Sequence, residues 1–169
     1  MTLIFYSTSR AAGIEIPAMH LTRFTDYSLR VLMYLAEPSN ERTTIAEIAT
    51  RFSVSRNHLM KVVQELSHLG YITTIRGKNG GLSLKMAPDT IHIGQLVQAT
   101  EHSFALTECD GDDDACYIAS VCRFKHIANE GVTAFIAVLD RYTLQDLLVP
   151  ECRSRLRELK LIDSVESCL

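Results

Sequence analysis

Between residues 22 and 36 apolar side chains recur at spacings of three and four, at Phe24, Tyr27, Val31, Leu32 and Leu35. That period puts one face of a helix into a core. Thr22 is placed to cap its start, and Pro38-Ser39-Asn40 ends it. A second, shorter stripe follows at Ile45, Ile48, Ala49 and Phe52. Ser53-Val54 breaks the period, and Ser55 is expected to cap a third helix with its side chain. Leu59, Val62, Val63, Leu66 and Leu69 form the buried face of that helix, and Gly70 stops it as a residue suited to a left-handed conformation. Two short helices joined by a turn of three to four residues make a helix-turn-helix.

The pattern then changes period. Tyr71–Ile75 is aromatic and β-branched and reads as a strand. Lys78-Asn79-Gly80-Gly81 reads as a turn and Leu82-Ser83-Leu84 as the return strand. A hairpin directly after a helix-turn-helix is a wing. The expected fold is mainly α with a small β-hairpin wing, a winged helix-turn-helix over 19–100 that includes a helix bearing Ile93, Leu96 and Val97.

Further along, Val121, Phe124, Ala128, Gly131, Phe135, Val138 and Tyr142 alternate three and four apart. This is a heptad seam, and it predicts a long dimerisation helix over 123–148. A helix packed on its own domain tolerates the same spacing. Residues 101–122 form a cysteine-bearing loop. The charged tail, 149–169, is expected to fray. Residues 1–18 show no strong periodicity and read as an N-terminal extension, either an arm or, the favoured expectation, an artefact of an upstream start codon.

Length and charge sharpen this division. A chain of 169 residues suits one domain plus an extension. Net charge is −3, but it is unevenly spread. Residues 20–90 carry nine Lys/Arg against six Asp/Glu, a balance of +3, whereas residues 91–169 carry seven against thirteen, a balance of −6. A basic first half and an acidic second half suggest separate tasks. No apolar run reaches the roughly 18–20 residues of a membrane span, and the N-terminus lacks the basic start and longer apolar stretch of a signal peptide. A cytoplasmic location is therefore expected, where the five cysteines would be free, metal-bound or redox-active rather than structural disulfides.

The third helix turns Arg56, Asn57, His58, Lys61 and Gln64 away from its buried stripe. In helix-turn-helix proteins this helix enters the major groove of double-stranded DNA. Arg matches guanine there, and Asn or Gln matches adenine. Thr44 and Ser55 at the helix starts, with Arg76, Lys78, Asn79, Gly80 and Gly81 at the wing tip, complete the expected DNA-facing set. No nucleophile–base pair stands out, and the "RGKNGG" segment lacks the Gly-Lys-Ser/Thr context of a phosphate loop, so an enzyme is not expected.

The segment "CDGDDDACYIASVC" places Cys109, Cys116 and Cys122 six and five intervening residues apart. A disulfide would be transient in a reducing compartment. Zinc favours four ligands, often in closer pairs. Calcium would use the aspartates, but no downstream bidentate Glu completes an EF-type loop, and the acidic run reads as a solvated loop tip. An iron–sulfur cluster is held by thiolates and accepts wider spacing. Spacing favours a cluster over a single zinc ion and leaves unrelated buried thiols open.

The stretches "LTRFTDYSLRVLMYLA", "VSRNHLMKVVQELSHLGYITTIRGKNGGLSL", the cysteine segment and "YTLQDLL" together resemble the Rrf-type iron–sulfur winged-helix regulators, and among them the nitric-oxide-sensing repressors. The resemblance spans about residues 19–148, and family members begin at a position matching Met19. It implies a cytoplasmic homodimeric repressor of nitrosative-stress genes that binds operator DNA. Each subunit would hold a 4Fe–4S or 2Fe–2S cluster through Cys109, Cys116 and Cys122. Asp26, on its own an ordinary acidic residue near a helix N-terminus, matches the position from which the partner subunit completes the coordination. The first cysteine gap is longer than the four or five residues usual in the family. A related regulator of cluster assembly, the alternative of the same fold, carries a His three residues after its last Cys. Here that position is Lys125, with His126 one residue late. Cys152 and Cys168 lie outside the family pattern. An accessory protein whose winged helix binds protein is the remaining alternative class.

Overall fold

The computed structural model describes residues 20–38, 43–75, 77, 80–106, 118 and 121–161. Arg76, Lys78, Asn79, Cys109, Cys116, Cys168 and the extension 1–18 lie outside the described residues.

Helix α1 runs Arg23–Ala36, with Thr22 as N-cap accepting a hydrogen bond from the Thr25 amide. Its buried residues include Val31, Leu32 and Tyr34, while Phe24, Tyr27 and Leu35 pack half-buried around the same core. Helix α2, Ile45–Arg51, begins with a reciprocal capping box between Thr44 and Glu47, which satisfies an orphan donor at each end of the box. The turn to α3, Arg56–His68, passes through Ser53, whose φ of 52° lies in the left-handed region. Ser55 is the N-cap by position, but contrary to expectation its side chain makes no capping hydrogen bond. Ser55, Arg56 and Asn57 are all exposed, so the first amides of α3 have access to water instead. Gly70 follows the C-cap at φ 83°, as the left-handed stop requires.

The wing pairs β1, Ile72–Ile75, with β2, Gly81–Leu84, antiparallel, with Ile72 opposite Leu84 and Ile75 opposite Gly81. Thr43 bridges to Leu82 on the open edge of β2, which ties the wing to the start of α2. A single 3-10 turn at Pro88–Thr90 leads to α4, Ile93–Thr100. Ile48, Leu59, Val62, Leu66, Ile72 and Leu96 fill one continuous core with the buried face of α1.

Helix α5 spans Arg123–Leu139 and stops well short of residue 148. Val121 and Tyr142, the two ends of the predicted seam, therefore lie outside it. The chain turns back at Asp140. His92 bridges to Thr143, and the Leu144 amide donates to the Ile91 carbonyl at 2.8 Å. The short α6, Leu144–Leu147, then buries Leu144 in the main core. Where α4 and α5 meet, a Cβ on Gly94 would stand 2.8 Å from the Asp140 backbone, so only glycine allows this approach.

The tail does not fray over the twelve residues that follow Val149. Pro150–Leu161 forms α7, with Pro at the first helical position, where its missing N–H costs nothing. Leu156 is buried in the main core and Cys152 and Leu159 pack against it. The buried Glu37 carboxylate accepts from Arg153 at 3.0 Å and from Arg157, and Lys160 donates to the Glu37 carbonyl. Burial acts to raise the Glu37 pKa, but the two guanidinium contacts outweigh it and the net shift is downward. Lys160 also lies over the Tyr34 ring, 4.7 Å from its centroid. The Tyr34 hydroxyl donates to Glu47 at 2.6 Å. Burial first, and Glu47 second, push the Tyr34 pKa up.

Candidate nucleic-acid interface and cysteine segment

Arg56, Asn57, His58, Lys61 and Gln64 are all exposed on α3, opposite buried Leu59, Val62, Val63 and Leu66. The helix is thus fixed by one face and presents donors and acceptors on the other. An open cleft of about 430 Å³ separates Lys61, Gln64 and Glu65 from Phe24, Thr100 and His102, so α3 stands clear of the body along one side. Thr44 is exposed, with its hydroxyl oxygen accepting from the Glu47 amide at 3.2 Å, and its O–H remains available as a donor. Gly80 and Gly81 are half-buried, and the Gly80 amide closes onto the Gly77 carbonyl at 2.8 Å. Gly77, at φ 104°, was not singled out by sequence. Its neighbour Gly80-Gly81 carried the visible turn signal.

Cys122 is the described member of the cysteine set. It is the N-cap of α5, half-buried, free of any disulfide, and makes no capping hydrogen bond. Its thiol sits at the positive end of a 17-residue helix, where anionic groups are favoured. A free thiol in that position suits a thiolate-bound, negatively charged cluster. Among the described residues no three His, Cys, Asp or Glu side chains gather as a metal site. Asp26 lies in the first turn of α1, nearly half-exposed, and pairs with Arg30 one turn on at 2.8 Å.

A contact that sequence could not reveal links these regions. Glu101, which opens the segment leading to the cysteines, accepts from the Thr22 amide at 2.7 Å and from its hydroxyl at 3.1 Å. Thr25 and Thr100 share a buried hydroxyl contact at 2.9 Å. Beside them Leu21, Glu101, Phe104, Leu106, Val132 and Phe135 line a mainly apolar cleft of about 220 Å³ between the start of α1 and α5.

The predicted seam is rotated on α5. Ala128 is buried and Phe135 half-buried against the chain's own domain, where Ile136 packs with Ile93 and Val97. Phe124, Ile127, Gly131, Ala134 and Val138 are exposed instead, again alternating three and four apart. Phe124 is 62% and Ile127 54% exposed, so this face of α5 carries a row of apolar side chains in contact with water.

A helix-turn-helix followed by a two-stranded wing, with the polar face of its second helix turned outward, defines a winged-helix transcriptional regulator. Comparison with known proteins gives its family. The model of the Rrf2 family, described as an iron-dependent transcriptional regulator, matches residues 21–150, and the chain belongs to that family. It is 50% identical over 133 residues to the HTH-type transcriptional regulator NsrR of Bacillus licheniformis, covering 78% of this chain and 93% of that one. It is 51% identical over 132 residues to NsrR of Bacillus subtilis, covering 77% and 90%. Among solved structures, CymR, the global cysteine regulator of B. subtilis, superposes with a TM-score of 0.57 at 27% identity, covering 77% of this chain and 96% of that one.

Proposed function

We propose that the protein is a cytoplasmic, homodimeric repressor that senses nitric oxide through a bound iron–sulfur cluster and releases operator DNA of nitrosative-stress genes. The observation that carries the reading is the Cys122 thiol at the start of α5, free of any disulfide, in a chain about half identical to NsrR regulators over some 133 of its residues. Cys109, Cys116 and Cys122 would hold the cluster, of the 4Fe–4S or 2Fe–2S type, and the partner subunit's Asp26 would complete it. When bound, the cluster supplies iron atoms to which nitric oxide can bind.

The remaining work falls to the protein. Cys122 anchors the first turn of α5, and α5 packs on α4. The end of α4 grips the start of α1 through Thr100 and Glu101, and α1 packs on α3. A change in how the cysteines are held would reach the recognition helix through these packed elements, biasing it between a DNA-binding and a released state. The exposed stripe from Phe124 to Val138 supplies the dimer contact, and pairing sets the spacing of the two recognition helices on DNA. Arg56, Lys61, Arg76 and Lys78 would meet phosphates and bases, with Thr44 and Ser55 donating hydroxyls to the backbone and Asn57, His58, Gln64, Asn79, Gly80 and Gly81 completing the surface. Binding should weaken steeply with salt.

Anaerobic native mass spectrometry tests the reading. The wild-type dimer should carry iron and sulfide, and Cys109→Ala, Cys116→Ala and Cys122→Ala should lose them. Asp26→Ala should keep the cluster but bind it more weakly. Retention of a full cluster by all three cysteine variants would contradict the proposal.

A further inference from the structure

The outward face of α3 contains one residue that its DNA-binding chemistry has not used. Met60 is 45% exposed, although every other exposed residue in the first nine positions of that helix is polar or charged. Met60 belongs to neither apolar core. It lies three residues after Asn57 and four before Gln64, so the three side chains share one strip of the helix surface. It also lies on a different helix from the apolar stripe of α5, so that stripe does not explain it.

Base edges in the major groove offer one prominent apolar group, the C5-methyl of thymine. Asn and Gln, the residues flanking Met60, match the N6 and N7 of adenine, the partner of thymine. A thioether side chain is long and soft enough to follow a methyl at variable depth. We infer that Met60 is a specificity-determining residue that packs on a thymine methyl, within or next to an A·T pair read by Asn57 or Gln64. The assignment rests on the DNA-binding function proposed above and adds the base that α3 reads through apolar contact.

The test uses the full-length protein, purified anaerobically, and the duplex it selects from a random library. Each thymine of that duplex is replaced in turn by deoxyuridine, which removes only the methyl. One thymine per half-site should be sensitive, with binding weakened about threefold to tenfold, the scale of one buried methyl group. In Met60→Ala, and in the more soluble Met60→Gln, the same replacement should have little further effect, as expected when both changes remove one contact. Both substitutions are at a solvent-facing position, so unchanged thermal unfolding is expected and checks that they fold. If no thymine responds, or if the response persists in both variants, the Met60 assignment is overturned and the DNA-binding function stands. If the protein selects no sequence at all, both fail.

Discussion

Glu101 holds the start of the helix that carries Asp26, its carboxylate accepting from both the amide and the hydroxyl of Thr22. The pair lies 79 residues apart in sequence. It joins the entrance of the cysteine segment to the N-terminus of α1, which in turn packs on the recognition helix. Glu101→Ala should remove both bonds and lower stability by about 1 kcal/mol, since the site is partly open to water. Urea denaturation would measure this, and Glu101→Gln, which keeps an acceptor, should lose less.

A second prediction concerns the crossing of α4 and α5. An alanine Cβ at Gly94 would stand 2.6 Å from the Asp140 Cβ and 2.8 Å from its Cα and N. Backbone cannot give way as a flexible side chain can. Gly94→Ala should therefore push the helices apart at a cost of about 2 kcal/mol and lower the Tm by roughly 4–8 °C. An unchanged Tm would mean that α5 does not press on α4 at this point.

Sequence made these elements unequally visible. The buried stripe of α3 was legible because Leu59, Val62, Val63 and Leu66 repeat at the helical period, and Gly70 marks its end by a conformational need. The rotation of the seam on α5 was not legible. Phe124, Gly131 and Val138 belong to both possible stripes, and only the packing of Phe135 and Ile136 on α4 chooses between them. Helix α7 was missed because its apolar face is sparse and much of its anchorage is ionic, on a residue more than a hundred positions away. Pro150 at its first position was the available signal. For the cysteine set, spacing and resemblance nominate the residues, while the place of Cys122 at a helix N-terminus needs coordinates. The Glu101–Thr22 contact has no local signature.

The ionic anchor of α7 predicts a pH dependence. A carboxyl whose pKa is lower folded than unfolded binds fewer protons in the folded state. Its stabilisation is complete above the unfolded value and is lost as pH falls through the folded one. Glu37 is such a group, because its contacts with Arg157 and Arg153 outweigh the burial that opposes them. Glu37→Gln should cost about 2 kcal/mol at pH 7. The difference from wild type should shrink as the pH drops through and below the ordinary carboxyl range, measured by urea denaturation across that range.

The stripe on α5 predicts the oligomeric state. Phe124→Glu places a charge among apolar side chains that are exposed in the single chain. Sedimentation should show a dimer for wild type and a monomer for the variant, with helix content unchanged. Operator affinity should fall at least tenfold, because two half-sites are no longer engaged together. A variant that remains dimeric would place the interface elsewhere.

The coupling of cysteine ligation to DNA release is tested most directly by operator binding measured anaerobically before and after nitric oxide, on wild type and Cys122→Ala. Wild type carrying iron and sulfide should bind tightly and lose most of its affinity on exposure. Cys122→Ala should carry no cluster and show no response. Iron-free, colourless wild-type protein that binds the operator as tightly as the loaded form, and is indifferent to nitric oxide, would contradict the proposed function.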